Sequence, residues 1–178
     1  AGENYVIRPQ NTIIEGSIKY SVAGKYRFVF GKYSGEIVFD PNSNMIKSVI
    51  IRIEASTIKS SFPALDDIVK SPRILDTKKY ENIIFKSDLI QKEGSGFLVK
   101  GILEMHGVKK EIAFPFEAPK PAADAEGKKI LKASGHWVVA RKDWDIIWNK
   151  FLDHGGVLVG NHITIDWNVN SPLQGRQK

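Results

Sequence analysis

The feature that most constrains this chain is a repeated alternation of apolar and other residues with a period of two. Val49, Ile51 and Ile53 alternate with Ile50, Arg52 and Glu54, and Ile83 and Phe85 alternate with Ile84 and Lys86. Phe97, Val99, Leu103 and Met105 share one phase, with Lys100 and Glu104 in the other; Ile112, Phe114 and Phe116 follow. Near the end, Ile163, Ile165, Trp167 and Val169 oppose His162, Thr164, Asp166 and Asn168. Successive side chains of a strand point to opposite faces, so each run predicts a strand with one buried face. Turn-forming clusters separate the runs: Pro41-Asn42-Ser43-Asn44, Glu93-Gly94-Ser95-Gly96 and the tight His106-Gly107-Val108-Lys109. Hairpin-linked strands make an antiparallel sheet with one apolar face. That face must be covered, either in a sandwich or by closure into a barrel, and alternation alone does not choose.

Three stretches break the pattern. Between Ser61 and Tyr80, Leu65, Ile68 and Val69 recur at helical spacing, with Pro63 placed to open a helix, Asp66-Asp67 near its positive end and Pro72 to stop it. A short helical segment near residues 62–76 is expected, with a kink and a further turn through Ile74-Leu75, serving as a plug or as a lid. Pro119 to Lys129 reads as a polar loop, and Ser171 to Lys178 as a frayed tail.

At 178 residues the chain fits a single domain with a sizeable core. With no cysteine, thiolate chemistry and disulfide scaffolding are excluded. No apolar run approaches the roughly 20 residues of a helical membrane span. The start Ala1-Gly2-Glu3-Asn4 resembles what signal-peptide cleavage leaves, so a periplasmic or secreted protein is expected. The formal charge of +6 is spread along the chain, as on a solvated basic surface, with transient contact to an anionic membrane as the alternative. Most aromatic residues share the apolar strand phase and so point away from Lys and Arg, which argues against nucleic acid.

A search for catalytic constellations finds none. His106, His136, His154 and His162 match no metal-ligand spacing, although His136 and His154 could meet in space. Ser60-Ser61 and Ser95 lack a nucleophile-elbow context. Asp66-Asp67 and Asp143/Asp145 read as helix-end charge and turn chemistry, solvated and unperturbed. The expectation is a non-enzyme with no metal and no cofactor.

What remains is the interior. The residues expected to face it and touch an apolar ligand are Phe28, Phe30, Phe39, Ile51, Ile53, Phe85, Phe97, Val99, Leu103, Phe114, Phe116, Ile165 and Trp167, with Leu65 and Ile68 added from the helical segment. From the residues alone two readings stay open: these side chains fill a core, or they line a chamber for a long apolar chain.

Six motifs in order add a resemblance. Val69-Lys70-Ser71-Pro72-Arg73-Ile74-Leu75-Asp76-Thr77-Lys78-Lys79-Tyr80 followed by Ile83-Ile84-Phe85-Lys86-Ser87 is similar to the signature of the YceI-like family. So are Gly35-Glu36-Ile37-Val38-Phe39-Asp40, Met105-His106-Gly107-Val108-Lys109-Lys110, Arg141-Lys142-Asp143-Trp144, Trp148-Asn149 and Val159-Gly160-Asn161-His162-Ile163-Thr164-Ile165. The chain departs from the family pattern at Glu81-Asn82, where a proline is usual, and in the segment from Ala118 to Ile130. The resemblance implies a bacterial exported protein with a closed, lipocalin-like antiparallel barrel of about eight strands. It further implies a polyisoprenoid, isoprenoid quinone or fatty amide bound inside, with self-association as a homodimer left open. The alternative is a structural or stress-response envelope protein with a filled core. Arg141 is expected to hold the structure through a charge-assisted bond to Asp143 or a nearby acid.

Overall fold

The computed structural model describes residues 2–20, 24–147 and 159–174. Among them, the strands in chain order are β1 (Glu3–Ile7), β2 (Thr12–Tyr20), β3 (Gly24–Phe30), β4 (Tyr33–Asp40), β5 (Met45–Glu54), β6 (Ile58–Lys59), β7 (Asn82–Glu93), β8 (Gly96–Met105), β9 (Val108–Phe116), β10 (Lys120–Ala123), β11 (Lys129–Ala140) and β12 (Val159–Pro172). One helix, α1, spans Pro63–Lys70, and a 3₁₀ turn covers Arg141–Trp144.

The strands form two six-stranded antiparallel sheets, ordered β1-β4-β5-β7-β8-β9 and β10-β11-β12-β2-β3-β6. Each turns its apolar face toward the other, as the alternation requires. The β8–β9 hairpin turns on His106 and Gly107, with φ of 54° and 73°. Two left-handed residues match the strand twist, as a two-residue hairpin demands. The Tyr80 ring packs so close to Gly107 that a Cβ there would lie 2.5 Å from it.

The expected closed barrel of eight strands is not what forms. Neither sheet closes on itself or on the other. The long edge of β9 packs beside β11 without a ladder, while β11 instead pairs with β10. The sequence explains this edge: β9 carries Pro115 and β10 carries Pro121, and proline has no N–H to give to another strand. At the other seam β1 meets the end of β12 through the isolated bridge Tyr5–Leu173, and β6 is a two-residue edge strand. The segment read as a polar loop thus contains β10, and the stretch read as a frayed tail starts inside β12, with Ser171 wholly buried.

The helical segment is shorter than expected. Ser71 is extended, at ψ 165°, as a residue before proline prefers, and α1 ends there. Residues 71–80 continue as turns that bury Ile74, Leu75 and Thr77.

Candidate functional site: an apolar cavity between the sheets

Between the two sheets lies a cavity of about 210 Å³. It is far larger than a single water requires, and its accessible wall is wholly apolar, the condition under which a cavity stays dry. Ile37 from β4, Val49, Ile51 and Ile53 from β5, Ile83 and Phe85 from β7, and Leu103 and Met105 from β8 line one side. Ile14 and Ile18 from β2, Phe28 and Phe30 from β3, Trp137 and Val139 from β11, and Ile163, Ile165, Trp167 and Val169 from β12 line the other. Ile112, Phe114 and Phe116 of β9 bridge the two sides.

The space exists because large rings lie down. A Cβ on Gly135 would fall 1.9 Å from Cζ2 of Trp167, its directly opposed neighbour across the β11–β12 ladder. A Cβ on Gly16 would fall 2.2 Å from Cζ of Phe28, likewise its direct partner. Each glycine gives a ring a bed against the sheet, so the ring covers backbone instead of standing into the interior. Phe114 then meets Trp167 edge-on at 5.2 Å between ring centroids, and Phe85 packs on Phe114 at 5.3 Å. These rings form a wall, not a plug.

One end of the cavity is closed by α1, the turns after it and the 3₁₀ turn. Val69, Ile74, Leu75, Arg141 and Ile146 all reach the wall there. Helix α1 is clasped in place through Asp66, which is 5% exposed. Its carboxylate accepts from the Tyr26 hydroxyl at 2.6 Å, from the Ser60 amide at 2.9 Å and from the Ser60 hydroxyl. Burial alone would raise the Asp66 pKa, but the bonds from Ser60 and Tyr26 outweigh it and hold the carboxyl below its ordinary value. The Tyr26 phenol moves the other way, raised by burial and by its bond to Asp66. Asp66 is therefore not the solvated helix-end charge that its sequence context suggests.

Arg141, 5% exposed, is the one Lys or Arg on the cavity wall among the described residues. Its Nε donates to the Gly160 carbonyl and an Nη to the Ile146 carbonyl, both at 2.8 Å. The structural role expected for it thus runs through backbone carbonyls, and Asp143 is exposed. Trp144 Nε1 donates to the Leu103 carbonyl at 3.0 Å, and His106 Nδ1 lies 3.1 Å from the Trp144 carbonyl, tying the 3₁₀ turn to the β8–β9 hairpin.

The sequence model of the YceI-like domain matches residues 5–171. The chain belongs to the YceI-like family. A UPF0312 protein of Vibrio cholerae serotype O1 is 30% identical over 118 residues, 66% of this chain and 62% of that protein, so the chain spans about three fifths of the first relatives' length. A UPF0312 protein of Shewanella baltica is 26% identical over 147 residues, 80% of this chain and 76% of its own. Among solved structures, Burkholderia cenocepacia BcnA superposes with a TM-score of 0.73 at 18% identity, covering 89% of this chain and 94% of that one. A polyisoprenoid-binding domain from Saccharophagus degradans, implicated in plant cell wall breakdown, superposes with a TM-score of 0.68 at 9% identity, covering 98% and 100%.

In this YceI-like chain the structure brings Phe28, Phe30, Ile51, Ile53, Phe85, Leu103, Phe114, Phe116, Ile165 and Trp167 together on the cavity wall. It does not bring Phe39, Phe97, Val99, Leu65 or Ile68 there. Phe39, Phe97 and Val99 have the right strand phase but lie in the filled part of the interior, at 1%, 3% and 0% exposure. Leu65 and Ile68 pack on the core from α1, and its wall contact is Val69. The wall also takes Trp137 and Val139, whose signal was the phase Leu131, Ala133, Gly135, Trp137, Val139, broken by small residues. His154 lies outside the described residues; His136 instead faces Asp166 across the β11–β12 ladder at 2.6 Å on the exposed side. Among the described residues, no three His, Asp or Glu side chains are placed to hold a metal ion.

Proposed function

We propose that this protein is a non-enzymatic carrier that binds a long-chain apolar lipid between its two sheets, of the polyisoprenoid, isoprenoid quinone or fatty-amide type. The observation that carries the reading is a cavity with a wholly apolar accessible wall, built by side chains from eleven strands of a YceI-like fold. The structurally similar Saccharophagus degradans domain is a polyisoprenoid-binding one, which supports it. Affinity needs no directed polar contact: burial contributes roughly 0.8 kcal/mol per methylene, so ten methylenes give on the order of 8 kcal/mol before association costs. The protein works outside the cytoplasm, as a periplasmic or secreted carrier, and its basic surface meets anionic membrane transiently while lipid is exchanged.

Native mass spectrometry of the purified protein, followed by organic extraction, tests this. The expected result is a mass above that of the bare chain that collapses to it on extraction, with an apolar chain in the organic phase. A protein that carries no lipid and takes up neither farnesol nor a longer prenol overturns the reading.

A further inference from the structure

Apart from the end closed by α1, the cavity has a second closed boundary, and it shows on several strands. On β1 the wall includes Ile7 but not Tyr5, the next inward residue; on β4 it includes Ile37 but not Phe39. On β12 it includes Val169 but not Ser171, and on β8 it stops at Leu103, with Val99 beyond Gly101 left out. The residues past the boundary are not turned outward. Tyr5 is 2% exposed, Phe39 1%, and Val99 and Ser171 0%. The apolar ones belong to the same buried cluster as the wall itself. Tyr5 and Phe39 meet edge to face at 6.5 Å, and Ser171 is the direct cross-strand partner of Leu131, also 0% exposed. The interior is thus open in one part and packed solid in the other, with inward-facing side chains in both.

We propose that this packed layer is a stop that sets the longest chain segment the cavity takes. The proposal rests on the carrier reading and adds a determinant of ligand length to it. Moving the boundary by one inward residue shifts the floor by two residues of strand, roughly 7 Å. Phe97, the direct partner of the wall residue Phe116, and Val169, the last wall residue of β12, sit on either side of that boundary.

The test measures binding of geraniol, farnesol, geranylgeraniol and solanesol by displacement of a bound fluorophore, for the wild type, Phe97→Ala and Val169→Phe. Circular dichroism matches the folded fraction, and Phe97→Leu serves where the alanine variant does not fold. For the wild type, affinity is expected to rise with prenol length and then level off. Val169→Phe should bring the plateau to a shorter prenol, with at least a fivefold loss for the longest, and shortening Phe97 should move it to a longer one. A wild type that binds with no dependence on length, or variants that keep the wild-type profile, overturns the stop and leaves the carrier reading standing. A wild type that binds none of the four overturns both.

Discussion

Introducing the same bulky residue at two inward-facing positions separates an open interior from a filled one. Val99 and Ile51 are both apolar, both mid-strand and both in the buried phase. Val99 has no exposure and lies off the cavity wall, pressed between its direct partners Phe114 and Ile90. A tryptophan there has no space to enter, so Val99→Trp overpacks the core and should cost about 1–3 kcal/mol or more. For a chain of this size that lowers Tm by roughly 2–12 °C, at about 2–4 °C per kcal/mol. Ile51 is on the wall, and one of its two cross-strand partners is Gly35, which has no side chain. Ile51→Trp projects into unfilled space, where added apolar contact offsets strain at about 25 cal/mol per Å². Its Tm should stay within about 4 °C of wild type, a change of roughly 1 kcal/mol, while farnesol binding falls at least tenfold. Thermal melts by circular dichroism and fluorophore displacement on the same samples read both quantities. If the two variants lose the same stability, the cavity is not open in solution and the reasoning from wall to ligand fails.

Two further outcomes follow from the contacts that close the cavity end. The Asp66 carboxyl is held below its ordinary value in the folded state, so its contribution to stability is full above the unfolded carboxyl pKa of about 3.9 and is lost as pH falls through the lower folded value. Asp66→Asn should lower Tm at neutral pH, by an amount corresponding to about 1.5–3 kcal/mol for a hydrogen bond to a charged group, and flatten the acid limb of Tm against pH; an unchanged acid limb refutes the clasp. Arg141→Ala leaves the Gly160 and Ile146 carbonyls without their donor and should cost about 2–6 kcal/mol, at roughly 1–3 kcal/mol for each of the two groups left unsatisfied; an equal Tm for mutant and wild type counts against it.

Much of this architecture is legible in local pattern, and what is not legible depends on distant pairing. Period two correctly assigns Ile51, Phe85, Leu103 and Ile165 to the inner face because the pleat is a local property of the strand. It assigns Val99 and Phe39 to the same face by the same logic, and they are there. Whether an inward residue meets empty space or another side chain depends on what the opposite sheet presents at that level, which no local window contains. The ring beds have a similar origin. Gly135 looks like an interruption of its strand until Trp167, 32 residues on, is known to be its partner. Alternation does not choose between sandwich and barrel, and the family resemblance points to closure; the prolines at 115 and 121 are the sequence features that speak against a continuous ladder along that edge. Asp66 is misread because its neighbour Asp67 is exposed and its partner Tyr26 is forty residues away.

The sparsely laced seams have a mechanical consequence. A sheet closed into a ring has a bore fixed by strand number and shear, and widening it means breaking a line of backbone hydrogen bonds. Here one seam is side-chain packing between β9 and β11, and the other is short: the bridge between Tyr5 and Leu173 and the Gln174 amide donating to the Asn4 carbonyl at 2.8 Å. The two halves are hinged shells more than a pipe. Widening the space between them would strain those short contacts and the corner where the Gly31 amide donates to the Thr57 carbonyl and the Glu54 amide to the Lys32 carbonyl, while the long ladders inside each shell stay intact.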